Sequence, residues 1–319
     1  MTGTFIMMVG LPGSGKSTYV KEHYKDATII CPDDIRFELC GDVNNQERNV
    51  EVFNIASQRI AETLSAGVPT VVFDATNVVS KRRISFLQDI KHRLNEIGKV
   101  SIEDINIKCV VICTPFEECL KRNAERVSTN SQYERTPVPE EVLHRMIRNF
   151  QCPQYYEGFN EIEFIGNSYP PIVLDFYSLM RGFNQNTPYH KYDLLTHCVK
   201  VSEQFHPFQD ARSMAGLYHD IGKLYTQTTD ENGVSHYYRH ENVGAYYFMC
   251  NAWAIAPKNE FLHTLFYINN HMHIRDIIKS EKAVKRYKEL WGEDRFNKLV
   301  EFMNADNKAS GREILDGAG

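Results

Sequence analysis

The sequence contains no long apolar run and no excess of positive charge. No stretch of the 319-residue chain approaches the roughly 20 consecutive apolar residues of a membrane-spanning helix. The formal net charge is -5, with 36 Lys and Arg residues against 41 Asp and Glu residues. This balance provides no broad basic surface for a nucleic-acid duplex. Any contact with nucleic acid is therefore predicted to be local, such as a groove that holds an end.

The sequence also has no closely spaced pair of cysteines of the CxxC type. Several of its eight cysteines lie in apolar surroundings, as Cys109 and Cys113 do. Reduced core residues are therefore predicted in preference to disulfides or a zinc site. The N-terminus has no basic segment followed by an apolar one, so we expect no signal peptide and a cytoplasmic protein without membrane association.

The length of the chain and a change in composition indicate two domains. A chain of 319 residues exceeds the usual size of one domain. Composition changes between two turn-rich segments, Asn167 to Pro171 and Gly182 to Pro188. We predict an α/β domain over residues 1–170, a linker over 171–187 and an all-α domain over 188–319. A hairpin near 225–238 is the one strand pattern expected in the second domain.

Apolar runs alternate with amphipathic stretches in the first half, as is typical of a parallel α/β sheet. Because each strand of such a sheet is buried on both faces, its strands are nearly continuous apolar runs. Strands are predicted at 5–9, 27–30, 68–73, 105–113 and 161–165. Helices are predicted to begin at 18 and to cover about 45–65, 80–97 and 139–150.

A glycine-rich segment between the first predicted strand and the first predicted helix fits the pattern GxxxxGK[ST]. Its glycines let backbone N–H groups surround phosphates, and the N-terminus of the following helix adds its dipole. Lys16 is expected to meet the β- and γ-phosphates, and the Ser17 hydroxyl to ligate Mg²⁺. ATP or another nucleoside triphosphate with Mg²⁺ is the expected cofactor. The expected binding residues are Gly10, Gly13, Ser14, Gly15, Lys16, Ser17 and Thr18.

Polar residues follow the later strands and suggest an acceptor site. Asp33 and Arg36 come after the second strand, at the edge of the sheet where ligands bind. Such a carboxylate would take a proton from an attacking hydroxyl, and the arginine would bind an acceptor phosphate. The alternative is a helix N-cap with acids in its first turn. Asp74 ends the third strand, a position typical of a magnesium-linked aspartate.

Two arginines further along the chain suggest a lid. Arg122 and Arg126 are four residues apart, so they would lie on one face of a helix. There they would close over the transferring phosphates. A solvated basic face is the alternative interpretation, and the spacing by itself does not separate the two.

In combination these segments resemble the 5′-hydroxyl polynucleotide kinase family. The shared segments are GLPGSGKST, PDDIRFE, VVFDATNVVSKRR, and KRNAERV followed by TPVPEEVLHRM. The resemblance implies a fold of the adenylate-kinase type, with Asp33 as general base for a 5′-hydroxyl and Arg36 on the acceptor phosphate. It implies that Arg122 and Arg126 are lid residues. For Asp74 it implies a supporting role, and this alternative to the magnesium ligand stays open.

Histidines are concentrated in the second half, where nine of the twelve follow residue 182. A single histidine is more often a satisfied polar residue than a ligand, but several in helical patterns with carboxylates suggest a metal site. A mixed nitrogen and oxygen site suits a divalent transition metal or Mg²⁺. A metal of this kind lowers the pKa of bound water and supplies hydroxide for attack on a phosphoester. The candidate ligands are His197, His219, Asp220 and Asp306, with His240 and His271 for a second metal.

The order of these groups resembles the HD-domain phosphohydrolases, over about residues 188–310. The likeness is greatest to HD domains that accompany tRNA nucleotidyltransferases, in the segment HDIGK and the later NHM. Activities of the family include cyclic phosphodiesterase, phosphatase and nucleotidase. The resemblance implies that Lys223 contacts the substrate phosphate, with His190 as a weaker candidate. It assigns His197, His219, Asp220 and Asp306 to a first metal and His240 and His271 to a second.

Both chemistries in one chain predict a bifunctional enzyme that repairs RNA or DNA ends. It would phosphorylate 5′-hydroxyl ends, and open or remove 2′,3′-cyclic, 3′- or 2′-phosphate ends. A ligase is a partner that this hypothesis admits, and a homo-oligomer is compatible with it. One alternative is a nucleoside or nucleotide kinase joined to an HD nucleotidase. Another is a regulatory module whose inactive HD site senses a nucleotide, although the complete ligand set weighs against it.

Overall fold

The computed structural model of the protein describes residues 3–125, 136–166, 175–188, 190–206, 210–252 and 258–310. The chain divides into two compact units. The first comprises Met1–Met146 and Pro153–Ser168, and the second comprises Ile147–Cys152 and Tyr169–Gly319. The second unit thus includes a short segment from the first half of the chain. The division into residues 1–170, 171–187 and 188–319 stays a prediction.

The first unit contains a five-stranded parallel sheet, which confirms the predicted α/β class. The strand order is β2-β3-β1-β4-β5, and every neighbouring pair is parallel. The central strands are buried on both faces, as their apolar sequences require. The strands are β1 (Gly3–Val9), β2 (Thr28–Ile30), β3 (Thr70–Phe73), β4 (Ile105–Cys113) and β5 (Glu161–Gly166).

Among the described residues of this unit, six α-helices connect or follow these strands. They are α1 (Lys16–His23), α2 (Pro32–Cys40), α3 (Asn49–Ser65), α4 (Ser80–Ile97), α5 (Phe116–Ala124) and α6 (Glu140–Arg148). Helix α1 begins two residues before its predicted start, because Gly15 adopts a left-handed conformation with φ 96° and turns the chain directly into Lys16. Helix α2 begins with a proline, which has the backbone angle of a first helical residue.

The second unit is mainly helical. Its helices are α7 (Phe176–Met180), α8 (Leu194–Ser202), α9 (Ala211–Tyr218), α10 (Lys223–Thr226), α11 (His240–Ala252), α12 (Lys258–Asn270), α13 (Ile274–Ile277), α14 (Glu281–Trp291) and α15 (Glu293–Ser310). An antiparallel hairpin of β6 (Gln227–Thr229) and β7 (Ser235–Tyr237) lies within the segment 225–238, where the sequence pattern predicts one. Among the described residues, no helix is both long and apolar enough to cross a membrane.

Candidate functional sites

The glycine-rich segment forms the loop between β1 and α1, in the first unit. Gly13 has φ 78°, and a Cβ atom there would lie 2.4 Å from the Cys119 carbonyl oxygen, so only glycine fits. The Thr114 hydroxyl, after β4, donates to the Ser14 carbonyl at 2.8 Å. The loop is therefore anchored by the strand and helix beside it.

Lys16 opens α1 and folds back over the loop. Its buried ammonium donates to the carbonyl oxygens of Gly10 at 3.0 Å and Leu11 at 2.9 Å. Ser17 is half-buried and Thr18 is exposed, both in the first turn of the helix. A cationic ammonium and the positive end of a helix dipole thus lie at one place, which suits a polyphosphate.

Two of the predicted carboxylates lie at the carboxyl edge of this sheet. Asp74 follows β3, and its N–H donates to the Ile30 carbonyl at the end of β2 at 3.1 Å. Asp33 is in the first turn of α2, just after β2. Cys31 lies between β2 and Asp33. Burial is the main cause that raises the pKa of its thiol to about 12, and the negative charges of Asp33 and Asp74 raise it further. Asp33 and Asp74 thus both lie at the carboxyl edge of the sheet, and their roles stay predictions.

Arg36 holds Asp33 in place. The Arg36 guanidinium is buried and donates to the Asp33 carboxylate at 2.7 Å. It also donates to Asn49 Oδ1 at 3.0 Å. The Asp33 side chain remains 39% exposed, so it can still meet a substrate from solvent.

The segment after Asp74 supports the phosphate loop through contacts that sequence reasoning missed. Asn77 adopts a left-handed conformation with φ 46°, and its amide donates to the Met8 carbonyl at 2.8 Å. Arg83 donates to the Asn77 carbonyl at 2.8 Å and makes a two-pronged ion pair with Glu157 at 2.6 and 2.7 Å. Both charged side chains are fully buried. The sequence signal in this region was the Asp-Ala-Thr-Asn segment. It does not reveal that Arg83 pairs with Glu157, which is 74 residues away.

The predicted lid is only partly described. Arg122 lies on α5 and pairs with Glu118 one turn earlier, at 2.6 Å. Arg126 lies outside the described residues. The lid function of both arginines stays a prediction.

In the second unit, six predicted ligands converge from five segments. His197 lies within α8, His240 opens α11 and Asp306 lies within α15. His219 and Asp220 directly follow α9, and His271 directly follows α12. Four of the six therefore lie at helix ends, because three directly follow a helix and His240 begins one. All six are nearly inaccessible to solvent, with relative exposures from 0% to 6%.

Asp220 lies at the centre of this cluster, and its two oxygens face different histidines. Oδ2 lies 3.3 Å from His219 Nε2 and 3.5 Å from His197 Nε2. Oδ1 lies 3.0 Å from His240 Nε2 and 3.7 Å from His271 Nε2. One carboxylate thus divides the cluster into two sets of donors.

The second carboxylate completes the first set. Asp306 Oδ1 lies 3.1 Å from His197 Nε2 and 3.8 Å from His219 Nε2. Ligand atoms around an ion with bonds of about 2.1 Å stand roughly 3.0–3.4 Å apart at octahedral or tetrahedral angles. The separations in both sets are close to this range.

Three of the histidines are oriented by the backbone. In His219, His240 and His271, Nδ1 lies 2.8–2.9 Å from the carbonyl oxygen three residues earlier. Because a carbonyl only accepts, Nδ1 carries the proton when the ring is neutral, and the Nε2 lone pair points into the cluster. This arrangement is the usual support for a metal-binding imidazole.

Buried polar atoms without partners also indicate a metal. In the described part of the chain, His219 Nε2 and both ring nitrogens of His197 are buried and make no hydrogen bond. Burying such atoms unpaired is unfavourable, and a cation among them would satisfy the Nε2 atoms. The donor set of imidazole and carboxylate therefore fits one or two divalent ions, with Asp220 shared between them.

The charges in the cluster favour ionised carboxylates. Burial alone would raise the pKa of Asp220, but His219 and Lys223 outweigh it and hold this pKa well below its ordinary value. Burial likewise opposes ionisation of Asp306, where His197 and His219 keep the pKa well below its ordinary value. Both carboxylates are thus negatively charged and able to bind a cation at neutral pH.

The Lys223 ammonium is engaged with Asp220 and two neighbours. It lies 2.7 Å from Asp220 Oδ2, 2.7 Å from Gln185 Oε1 and 3.2 Å from His190 Nε2. Burial and the charge of Lys223 lower the pKa of His190 to about 3, so this ring is neutral and accepts from the lysine. The predicted contact of Lys223 with a substrate phosphate stays a prediction. Gln185 was not identified from the sequence.

Asp306 also has a cationic partner that the sequence did not reveal. Arg275 lies 2.5 Å from Asp306 Oδ2, and it also donates to Asn307 Oδ1 at 2.6 Å. The outer oxygen of Asp306 is therefore fixed by Arg275, while its inner oxygen faces His197. Asp220 and Asp306 thus each turn one oxygen toward His197 and His219. Each also contacts a cationic side chain, which is Lys223 for Asp220 and Arg275 for Asp306.

Comparison with known families classifies the first unit. Residues 5–153 match the sequence family described as an AAA domain, which is just under half of the chain. Together with the parallel sheet and the phosphate loop, this match describes a P-loop α/β domain. The match ends at residue 153, so it includes only the short segment Ile147–Cys152 of the second unit. No curated protein matches the chain.

Several solved structures are similar to the chain. A chain of the Pnkp1/Rnl/Hen1 RNA repair complex is 20% identical, with a TM-score of 0.34, over 45% of this chain and 42% of that chain. A fungal RNA kinase is 14% identical, with a TM-score of 0.35, over 51% and 74%. A sugar kinase from Janibacter sp. HTCC2649 is 14% identical, with a TM-score of 0.35, over 54% and 88%. This chain thus spans less than half of the repair-complex chain, and we draw no conclusion on substrate from these scores.

Proposed function

We propose that the protein repairs nucleic-acid ends with two active sites. The first unit phosphorylates a 5′-hydroxyl end, and the second opens or removes a 2′,3′-cyclic, 3′- or 2′-phosphate end. The observation that carries this proposal is the Asp220 carboxylate, whose two oxygens face two sets of histidines in a chain that also carries a phosphate loop. A ligase uses a 3′-hydroxyl and a 5′-phosphate, which are the products of the two reactions.

In the kinase reaction, the 5′-oxygen attacks the γ-phosphorus of ATP, and the bond from this phosphorus to the β–γ bridging oxygen breaks. Asp33 takes the proton of the attacking hydroxyl. Its contact with Arg36 at 2.7 Å fixes the carboxylate, and we assign the acceptor phosphate to the same arginine. Lys16 neutralises charge on the β- and γ-phosphates, and ADP is the leaving group.

A nucleotide-bound Mg²⁺ would be held by residues of the loop and the sheet edge. We assign the Ser17 hydroxyl to Mg²⁺, with Asp74 as its nearby carboxylate or as a supporting residue. Asp74 is buried and lies after β3, beside the strand that leads into the loop. A residue there can act on the metal directly or through water, and both alternatives remain part of the proposal.

In the phosphoesterase reaction, the oxygen of a water molecule bonds to phosphorus while a bond to the 2′- or 3′-oxygen breaks. The leaving oxygen takes up a proton and becomes a hydroxyl. A divalent ion in the cluster would supply an activated water and stabilise negative charge on the phosphate. Asp220 and Asp306 provide the anionic ligands, and the histidines present their Nε2 atoms. Lys223 and Arg275 hold the two carboxylates in position.

The experiment is to incubate the protein with ATP, Mg²⁺ or Mn²⁺, and an RNA carrying 5′-hydroxyl and 2′,3′-cyclic phosphate ends. Mass spectrometry then reports each end separately. We expect gain of a 5′-phosphate, and opening or loss of the cyclic phosphate. If RNA and DNA ends both remain unchanged in every metal, the proposal is wrong.

The second candidate is a nucleoside or nucleotide kinase joined to a nucleotidase. The net charge of -5 favours small substrates over a long polyanion. Competition distinguishes the two proposals, because an oligonucleotide end would inhibit phosphorylation of a nucleoside only if both bind one site. Phosphorylation of nucleosides, unaffected by excess oligonucleotide, would favour this second candidate.

A further inference from the structure

The Lys223 ammonium is surrounded by acceptors of the protein itself. They are Asp220 Oδ2 at 2.7 Å, Gln185 Oε1 at 2.7 Å and His190 Nε2 at 3.2 Å. Because an ammonium group has three donors, contacts within the described part of the chain use all of them. The lysine is also buried. It could therefore donate to a substrate phosphate only after one of these contacts is broken.

Gln185 is fixed by contacts of its own. It is 1% exposed, and its backbone carbonyl accepts from the Tyr237 hydroxyl at 2.7 Å. Its side-chain nitrogen donates to the Tyr192 carbonyl at 3.3 Å. Because a carbonyl only accepts, this contact requires the nitrogen on that side and turns Oε1 toward Lys223. The orientation of the amide is therefore specified.

His190 is held in a similar way. Its Nε2 accepts from the Lys223 ammonium, so in the neutral ring Nδ1 carries the proton. Nδ1 lies 2.7 Å from the Thr187 hydroxyl oxygen, which accepts this proton. Both acceptors of the lysine thus come from the segment before α8, and each is oriented by a further partner.

We propose that Gln185 and His190 are positioning residues, which hold the Lys223 ammonium on Asp220 and keep it from the substrate. This inference rests on the proposed phosphoesterase function and assigns Lys223 to a metal ligand of that site. A buried ammonium that loses an acceptor is destabilised and would move away from its place at Oδ2. Outer contacts of this kind direct a ligating carboxylate, and their loss lowers metal affinity.

The test separates metal affinity from substrate affinity in the full chain. Calorimetry measures the affinity for Mn²⁺ without substrate, and kcat and KM for an RNA 2′,3′-cyclic phosphate end are measured at saturating Mn²⁺. Gln185→Met and His190→Leu each remove an acceptor, whereas His190→Gln can place an oxygen near the position of Nε2. Gln58→Met is the control, because Gln58 is an exposed glutamine of the first unit. Thermal unfolding shows that each variant is folded.

We expect Gln185→Met and His190→Leu to lower the affinity for Mn²⁺ about tenfold, with KM unchanged at saturating Mn²⁺. His190→Gln should retain most of the affinity, and the control should be unaffected.

Unchanged affinity for Mn²⁺ in both acceptor variants would overturn the inference, and a change in KM alone would instead assign Lys223 to the substrate phosphate. If the unmodified protein binds Mn²⁺ but opens no phosphate end, the proposed function fails, while the comparison of affinities still decides this inference. If the unmodified protein binds no Mn²⁺, the inference is wrong.

Discussion

The ammonium of Lys223 lies 2.7 Å from Asp220 Oδ2, the oxygen that also faces His197 and His219. The lysine is buried, and Gln185 and His190 accept its other hydrogen bonds. Asp220 is thus held by a cation from outside the cluster while its oxygens remain directed at the histidines. This arrangement makes the position of the central carboxylate dependent on Lys223, whose ammonium group would not itself bind a metal.

Replacement of this lysine should impair the second site alone. We expect Lys223→Met to lower phosphoesterase activity by about 10- to 100-fold, because loss of an outer partner misplaces the carboxylate. Kinase activity, measured on the same sample, should not change. Lys279→Met is the matched control, since Lys279 is an exposed lysine of the same unit. Equal activity of the two variants would contradict the assigned role.

Removal of the proposed base should impair the first site alone. Asp33→Asn keeps the shape of the side chain but cannot accept the proton, so kcat for 5′-phosphorylation should fall by about 100-fold or more. Asp34→Asn, in the same first helical turn, is the control. Transfer of the phosphoryl group is followed with labelled ATP, and opening of the cyclic phosphate is followed in parallel. A loss of both activities in Asp33→Asn would contradict the two-site proposal.

Metal binding to the histidine–aspartate cluster should depend on pH through His219. Burial alone would lower the pKa of His219, but Asp220 and Cys198 outweigh it and raise this pKa well above 6.5 in the metal-free protein. The ring is then protonated at neutral pH, whereas a ligand imidazole must be unprotonated. Metal affinity should therefore rise as pH increases above neutrality.

Calorimetry in buffers of different ionisation enthalpy measures this coupling. Binding of Mn²⁺ at pH 7 should release about one proton from this histidine. The release should be lost in His219→Ala, which removes the titrating ring. Proton release that persists unchanged in this variant would show that another group titrates.

The buried pair of Arg83 and Glu157 should contribute to the stability of the first unit. Glu157→Gln leaves the Arg83 charge without its partner at 0% exposure, and should lower the free energy of unfolding by about 3–5 kcal/mol. The double replacement Arg83→Met with Glu157→Leu removes both charges. It should lower the free energy of unfolding by less than the single replacement does. Urea unfolding measures both. A double variant less stable than the single variant would contradict this explanation.

The sequence predicted those features that depend on neighbouring residues. The phosphate loop is one continuous segment, so Gly13, Lys16 and Ser17 were identified directly from the pattern. The parallel sheet followed from apolar runs, and the hairpin near 227–237 followed from a local change of pattern. The ligand candidates were distant from each other, but their residue types and order indicated a metal site.

The tertiary structure alone decided which atoms meet. No local pattern shows that Asp220 turns its two oxygens to different histidines, or that Gln185 and His190 reach Lys223. The pairing of Arg83 with Glu157 joins residues 74 positions apart. Such contacts arise because helices and strands must bury their apolar faces together, and this packing brings buried charges to partners that satisfy them. The sequence by itself determined which chemical groups are available, and only packing decided their partners and directions.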